Sequence, residues 1–111
     1  MTHNDNDFLD YILELLAPLG QPVGRRMFGG YGIFNHGLMF AIIADRQLYL
    51  KTDAANAMEY VSRGLPPFTY QRRGKNVSLS YYQAPDEILD EGEALLPWAR
   101  RALQAALNTK Q

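Results

Sequence analysis

The sequence predicts an α+β domain of two layers, in which helices pack on a single antiparallel β-sheet in the order α-β-β-β-α-β-β-α. Two observations lead to this prediction. Apolar residues recur at helical spacing near both ends of the chain, and short apolar or alternating runs separated by turn signals lie between them. The connections between most of these runs are too short for crossovers, so the neighbouring strands must run antiparallel.

Size and composition are those of one packed domain covering residues 1–111. At 111 residues the chain can bury roughly two-thirds of its unfolded surface, and a hydrophobic fraction of 47% fits an ordinary core. A net charge of −1 provides no global attraction to nucleic acid or anionic membranes, so such binding would need a local patch. The lack of cysteine, the polar N-terminus and the absence of a long apolar run predict a cytoplasmic protein without membrane contact.

The first element is an amphipathic helix. Residues 1–6 are expected to form a flexible tail, and Asp7 is the candidate N-cap. Pro18 and Gly20 end this helix. The residues of its apolar, sheet-facing stripe are Phe8, Ile12, Leu15, Leu16 and Leu19.

A run rich in glycine follows, over residues 25–34. Glycine inside a strand usually marks a bulge or a close backbone approach, so we interpret the whole run as one strand that is kinked in its middle. A phosphate-binding loop would need a further glycine and a helix directly after it, and a turn and a strand are predicted there instead. A structural role for these glycines is therefore favoured.

Two further strands follow at short intervals. Asn35-His36-Gly37 is a turn signal, and the apolar run 38–44 predicts a strand buried on both faces. Asp45-Arg46 makes a tight turn into residues 47–51, which alternate and predict a half-exposed strand.

A second helix and a hairpin come next. Thr52 or Asp53 is predicted to cap the helix, which ends at Gly64. The runs 68–72 and 76–82 alternate apolar with polar residues and predict a hairpin that turns at Arg73-Gly74-Lys75. The hairpin residues expected to face inward are Phe68, Tyr70, Val77, Leu79 and Tyr81.

The last helix carries a long apolar stripe. Because a proline in a helix interior costs about 3 kcal/mol, Pro97 is expected within the first turn. Arg100 and Arg101 are expected on the solvent side. The residues of the stripe are Leu95, Trp98, Ala99, Ala102, Leu103, Ala106 and Leu107.

Basic residues are the best candidates for contacts with nucleic acid or with a partner. Arg72, Arg73 and Lys75 surround the hairpin tip beside tyrosines, and Arg25 and Arg26 would join them if they share that face. Cations flanked by aromatic rings can contact phosphates and stack on bases. An ordinary solvated turn, whose charges protect a sheet edge, explains the same residues and is the favoured interpretation.

Catalytic and metal chemistry find little support in the sequence. His36 lies in a predicted turn, where a polar residue that tolerates positive φ is expected, and His3 lies in the tail. The acidic residues between 86 and 93 suit the N-termini of the last helices. We therefore predict no catalytic residue, no cofactor and no metal site.

The run 25–34 resembles the signature of the TfoX/Sxy N-terminal domain family. Further segments match in register, from Arg25 nearly to the C-terminus: Leu38-Met39-Phe40-Ala41, Leu48-Tyr49-Leu50-Lys51, Pro67-Phe68-Thr69-Tyr70, Ser80-Tyr81-Tyr82 and Trp98-Ala99-Arg100-Arg101-Ala102-Leu103. The motif residues that match the family and look mainly structural are Met27, Phe28, Gly29, Gly30 and Gly32.

This resemblance implies an α+β fold with an antiparallel sheet and an association with regulators of natural competence. Those regulators act at promoters together with the cyclic-AMP receptor protein, and the family supplies no catalytic residue or cofactor to carry over. They also have a second, C-terminal domain, so we expect this chain to be a standalone single-domain member. Pro97 departs from a position that is often acidic in the family, which bears on the helix start alone.

Three functional hypotheses follow. The leading one is a non-enzymatic interaction module with a protein partner, linked to transcriptional and competence regulation. The second is direct nucleic-acid binding through the basic residues, and the third is a small-molecule or enzymatic role in a pocket lined by Tyr49, Tyr81 or Trp98. A homodimer is also expected, because a small sheet leaves apolar strands partly uncovered.

Overall fold

A computed structural model describes residues 5–109 of the chain. The helices are α1 (Asp5–Leu16), α2 (Ala57–Ser62) and α3 (Gly92–Asn108), and two 3-10 turns occupy Ala17–Leu19 and Asp86–Leu89. The strands are β1 (Val23–Met27), β2 (Gly30–Asn35), β3 (Leu38–Ala44), β4 (Gln47–Lys51), β5 (Pro67–Arg72) and β6 (Lys75–Gln83). The predicted α+β class with a single antiparallel sheet is confirmed.

The six strands form one sheet in the order β1-β2-β3-β4-β6-β5, and every neighbouring pair is antiparallel. Four of the five pairs are joined by two-residue turns in which both residues have positive φ, the backbone that a type I′ hairpin turn requires. The turn residues are Phe28-Gly29, His36-Gly37, Asp45-Arg46 and Arg73-Gly74. Three of the four end in glycine, which adopts positive φ without steric cost.

The order of elements follows the expected one with a single difference, at the glycine-rich run. The prediction of one kinked strand over residues 25–34 is wrong, because the chain reverses at Phe28-Gly29 and β1 pairs with β2. Met27 lies opposite Gly30 in this hairpin, and Arg25 lies opposite Gly32. Phe28 accepts φ of 57° in the turn, a conformation that is uncommon for a bulky residue.

All three helices pack on one face of the sheet, so the predicted two layers are present. The main core lies between them and contains buried side chains of every helix, including Ile12 of α1, Tyr60 of α2 and Leu95 of α3. The strands contribute Ile33, Phe40, Ala41, Ile43, Leu48 and Leu50 to this core. Residues 40–44 of β3 are all buried, as predicted for a strand covered on both faces.

The helix starts differ from the predicted ones. Residues 1–4 of the expected tail lie outside the described residues, whereas Asp5 and Asn6 already belong to α1, which therefore begins before the predicted cap at Asp7. The carboxylate of Asp5 accepts the backbone N–H of Arg46 at 2.7 Å, and this contact holds the first turn against the β3–β4 turn. The carboxylate of Asp53 accepts the N–H groups of two residues in the turn before α2. The predicted cap at Thr52 or Asp53 is nevertheless wrong, because α2 begins at Ala57 and its N-cap is Asn56.

Pro97 lies inside α3 rather than in its first turn, because α3 begins at Gly92. A proline at this position removes only the hydrogen bond to the carbonyl of Glu93, one turn from the helix start. A Cβ on Gly92 would lie 3.4 Å from the carbonyl oxygen of Leu15, which is an ordinary contact distance. The start of α3 therefore packs on the end of α1 without a steric need for glycine.

Candidate functional site

The hairpin tip brings together the three basic residues predicted there. Arg72 and Lys75 are the last pair of the β5–β6 ladder, and Arg73 lies in the turn with φ of 54°. All three side chains are exposed, and Arg72 follows Tyr70 on the same face of the sheet. The hairpin tip is therefore cationic and accessible, and the ring of Tyr70 lies next to it on the same face.

Arg25 and Arg26 do not share a face. The guanidinium of Arg25 lies 5.3 Å from the ring centre of Phe34, on the face that is opposite the helices. Arg26 lies on the helix side, 5.6 Å from the ring centre of Tyr31, and donates a hydrogen bond to its hydroxyl at 3.4 Å. Of this doublet, only Arg25 shares the sheet face of Arg72 and Lys75.

The three glycines of the motif differ in what surrounds them. A Cβ on Gly30 would lie 1.9 Å from the carbonyl oxygen of Ile43, and a Cβ on Gly32 would meet the sulfur atoms of Met27 and Met39 at 2.6 and 2.7 Å. Gly29 has φ of 75° in the turn, with open space around it. Strand β2 follows directly, so no helix N-terminus is directed at this turn.

The glycine turn borders a cleft of about 810 Å³ that sequence reasoning missed. Its lining combines both charges, from the start of α1 and from two hairpin turns: Asp5, Asn6, Arg26, Gly29, Gly30, Tyr31, Asp45 and Arg46. The hydroxyl of Tyr31 lies 3.5 Å from the amide oxygen of Asn6 and accepts from Arg26. Only folding joins these segments, so no local signal in the sequence could have indicated the cleft.

An aromatic cluster covers the sheet face opposite the helices. Rings of Phe28, Tyr49 and Tyr70 surround Phe68, with ring centres 5.2 to 6.0 Å apart. The five hairpin residues predicted to face inward are on this side, where Phe68 and Tyr81 are buried and the other three are half-buried. Phe28 was not predicted to join them, because its place in a turn could not be inferred.

Trp98 joins α2 to α3 and is covered by two guanidinium groups. Arg63 lies 5.1 Å and Arg101 lies 4.9 Å from its ring centre, while Tyr60 packs edge to face at 5.4 Å. Both arginines also pair with Glu59, at 3.8 and 3.9 Å. Arg100 and Arg101 are exposed, as predicted. Trp98 is buried by its neighbours and does not line an open cavity.

Burial shifts the pKa values of three tyrosines and one lysine. It raises the pKa of Tyr81 to about 12 and also raises the pKa of Tyr60 and Tyr49 above the ordinary value. Burial lowers the pKa of Lys51, an effect that the carboxylate of Asp53 opposes. The two most buried tyrosines are therefore held in the neutral, protonated form well into the alkaline range.

These shifts predict a loss of stability in alkali. Tyr81 has an ordinary pKa of 10 and a folded pKa of about 12, so its contribution is complete below pH 10 and is lost as the pH rises through 12. Urea unfolding measured at intervals across this range should give a falling free energy of unfolding. Tyr81→Phe loses the hydrogen bond to the carbonyl of Met39 at every pH but should show a shallower decline, and parallel curves would contradict the assignment.

Residues 5–109 contain no group of three or more histidine or acidic residues placed to hold a metal ion, and His3 lies outside this range. No helix in the same range is long and apolar enough to cross a membrane.

Comparison with known proteins gives the family. The family model of the TfoX N-terminal domain matches residues 14–106, which is most of the chain. The chain belongs to the TfoX N-terminal domain family. The match begins within α1 and ends within α3, so it takes in the whole sheet of this TfoX N-terminal domain, including the glycine turn and the basic hairpin.

Curated relatives of this TfoX domain come from three bacteria. Protein Sxy of Escherichia coli is 31% identical over 87% of the chain, and the DNA transformation protein TfoX of Haemophilus influenzae is 34% identical over 76%. The DNA transformation protein TfoX1 of Aliivibrio fischeri is 23% identical over 94%. The chain spans 46%, 40% and 48% of these relatives, which is less than half the length of each.

Proposed function

We propose that this TfoX domain is a non-enzymatic interaction module that acts in the control of DNA transformation by binding a protein of the transcription machinery. The observation that carries the proposal is the extent of the matches to relatives named as DNA transformation proteins, which cover 76% and 94% of the chain. A cytoplasmic location accompanies the proposal, since promoters and RNA polymerase are found there.

The partner surface that we favour is the outer side of α2, which we call the α2 patch and define by Met58 and Val61. These side chains are 66% and 49% exposed and lie three residues apart, so they are neighbours on the helix surface. Charged residues Glu59 and Arg63 border them. An apolar centre with a polar rim is typical of protein interfaces, and methionine adapts well to a partner surface.

The test is affinity capture with the full chain from lysate of its host, with the captured proteins identified by mass spectrometry. The wild type should recover RNA polymerase subunits or a transcription factor, and Met58→Ser with Val61→Ser should lose them. Val23→Ser is the matched control, because Val23 is 55% exposed on the distant strand β1 and its substitution should leave the capture unchanged. Recovery of no transcription-related protein, with unchanged transcripts in a deletion strain, would refute the proposal.

The homodimer stays a prediction. Strands β1 and β5 are the two free edges of the sheet, and β1 carries the exposed Val23 at its start. Light scattering at high protein concentration measures the mass directly, and a monomer under those conditions would rule the dimer out.

A further inference from the structure

The sheet carries basic residues but no acidic ones. All twelve acidic residues of the chain lie within residues 5–109, and each is on a helix, a turn or a connection. The basic residues at strand positions are Arg25, Arg26, Lys51, Arg72 and Lys75. Arg26 faces the helices, so the remaining four define what we call the basic sheet face. In a chain of net charge −1, this is a local segregation of charge.

Two of the four cations of the basic sheet face lie over an aromatic ring, and the other two share the sheet face of Tyr70. Arg25 lies over Phe34, and the ammonium of Lys51 is 5.3 Å from the ring centre of Tyr81. Arg72 pairs with Lys75, and Tyr70 pairs with Val77 two residues earlier along β5. Because side chains alternate along a strand, both pairs lie on the same face of the sheet. Phe34 and Tyr70 are half-buried, so part of each ring is accessible.

These groups are spread across the width of the sheet. Phe34 pairs with Met39 on the neighbouring strand, and the hydroxyl of Tyr81 donates to the carbonyl of Met39 at 3.2 Å. The ammonium of Lys51 lies over the ring of Tyr81, and Tyr81 belongs to β6, the strand that begins at the hairpin tip. Rings and cations are therefore distributed from strand β1 to strand β5, which are the two edges of the sheet.

We propose that the basic sheet face binds single-stranded nucleic acid, with phosphates on the four cations and bases against the rings between them. Proteins that bind single strands combine cations that follow the backbone with aromatic side chains on which bases stack. This proposal concerns a surface and a ligand different from those of the α2 patch, so the two can fail separately.

The curvature of the sheet and its partly accessible rings bear on the choice between a single strand and a duplex. In a flat sheet of six strands the edges would be about 24 Å apart. The ring of Phe28 at the β1–β2 turn nevertheless lies 5.2 Å from Tyr70 on β5, so the sheet curls and this face is concave. The rings in the middle of this face pack on one another, whereas Phe34 and Tyr70 remain half-buried. Unpaired bases can stack on such partly accessible rings, whereas a duplex keeps its bases stacked and offers groove edges and phosphates.

An acidic peptide is the competing ligand. It could pair with the cations of the basic sheet face, but it has no planar bases to occupy the rings of Phe34 and Tyr70. The two ligand classes therefore differ in how much they depend on the rings. Replacing a ring should weaken the binding of nucleic acid but not of an acidic peptide, whereas replacing a cation should weaken the binding of both.

The test is fluorescence anisotropy with a labelled single-stranded DNA of about 15 nucleotides, its duplex and a poly-glutamate peptide, at about 50 to 200 mM salt. We expect the single strand to bind most tightly, with affinity falling steeply as salt rises. Arg72→Glu should weaken binding about tenfold and reduce the salt slope. Phe34→Leu keeps an apolar side chain but removes the ring, and should weaken binding about fivefold.

Arg100→Glu is the matched control, because Arg100 is exposed on α3 and the substitution changes the net charge by the same amount. It should leave the affinity unchanged, and the fluorescence of Trp98 confirms that each variant is folded. No binding at low salt, an equal loss with Arg100→Glu, tighter binding of the duplex or of poly-glutamate, or full affinity in Phe34→Leu would each overturn the proposal.

Discussion

Gly30→Ala is expected to lower the free energy of unfolding by about 3 kcal/mol. The added Cβ would lie 1.9 Å from the carbonyl oxygen of Ile43 and 3.1 Å from the Cα of Ala44, both of them backbone atoms of strand β3. A side chain could rotate away from such an overlap, but β3 is held by hydrogen bonds on both sides. The strand would have to move, and the buried residues of β3 would move with it.

Urea unfolding followed by the fluorescence of Trp98, the one tryptophan of the chain, measures this loss. Gly29→Asn is the control from the same turn. A Cβ on Gly29 meets nothing within 4 Å, and asparagine tolerates a φ of 75° better than most residues, so the cost should stay near about 1 kcal/mol. Equal losses in the two variants would show that turn conformation, rather than the close approach of β3, determines the need for glycine.

Trp98→Ala should lower the free energy of unfolding by about 3 to 5 kcal/mol. Trp98 is 9% exposed, and its ring fills the space between Tyr60 of α2 and the body of α3. Removing it leaves a cavity at the junction and withdraws the ring that Arg63 and Arg101 cover. The short helix α2 has few other buried contacts, so it should be the first element to loosen.

This variant has lost its tryptophan, so unfolding is followed by far-ultraviolet circular dichroism. Trp98→Phe retains an aromatic ring and should cost less than half as much as the alanine variant. Arg101→Gln tests the cation alone and should cost no more than about 1 kcal/mol, since the pair is exposed. A loss in Arg101→Gln as large as in Trp98→Ala would assign the stability to the charges instead of to the buried ring.

The elements that sequence reasoning predicted best are those whose pattern is local. The alternation of residues 68–72 and 76–82 predicted the hairpin, and His36-Gly37 was recognised as a turn. The hairpin residues expected to face inward lie on the sheet face opposite the helices, where two of the five are buried. The turn at Phe28-Gly29 was missed for a physical reason. A phenylalanine at positive φ is rare, and the glycines that follow it resemble the kink of a strand as much as the end of one.

The candidate contacts were less predictable, because they depend on which residues the fold brings together. Alternation along a strand requires Arg25 and Arg26 to lie on opposite faces, yet the assumption that this segment was kinked left their faces open. The concave curl depends on a contact between Phe28 and Tyr70, which are far apart in the chain. The family resemblance came from ordered short motifs and therefore did not require these long-range contacts.

The two-residue turns also bear on how the chain finds its fold. Each of the pairs β1–β2, β2–β3, β3–β4 and β5–β6 closes a loop of minimal length, so each can zip up with little loss of chain entropy. Only β4 and β6 must meet across a longer connection, with α2 between them. Two ribbons should therefore form early and dock as preformed units, which predicts folding faster than is usual for a sheet of this size.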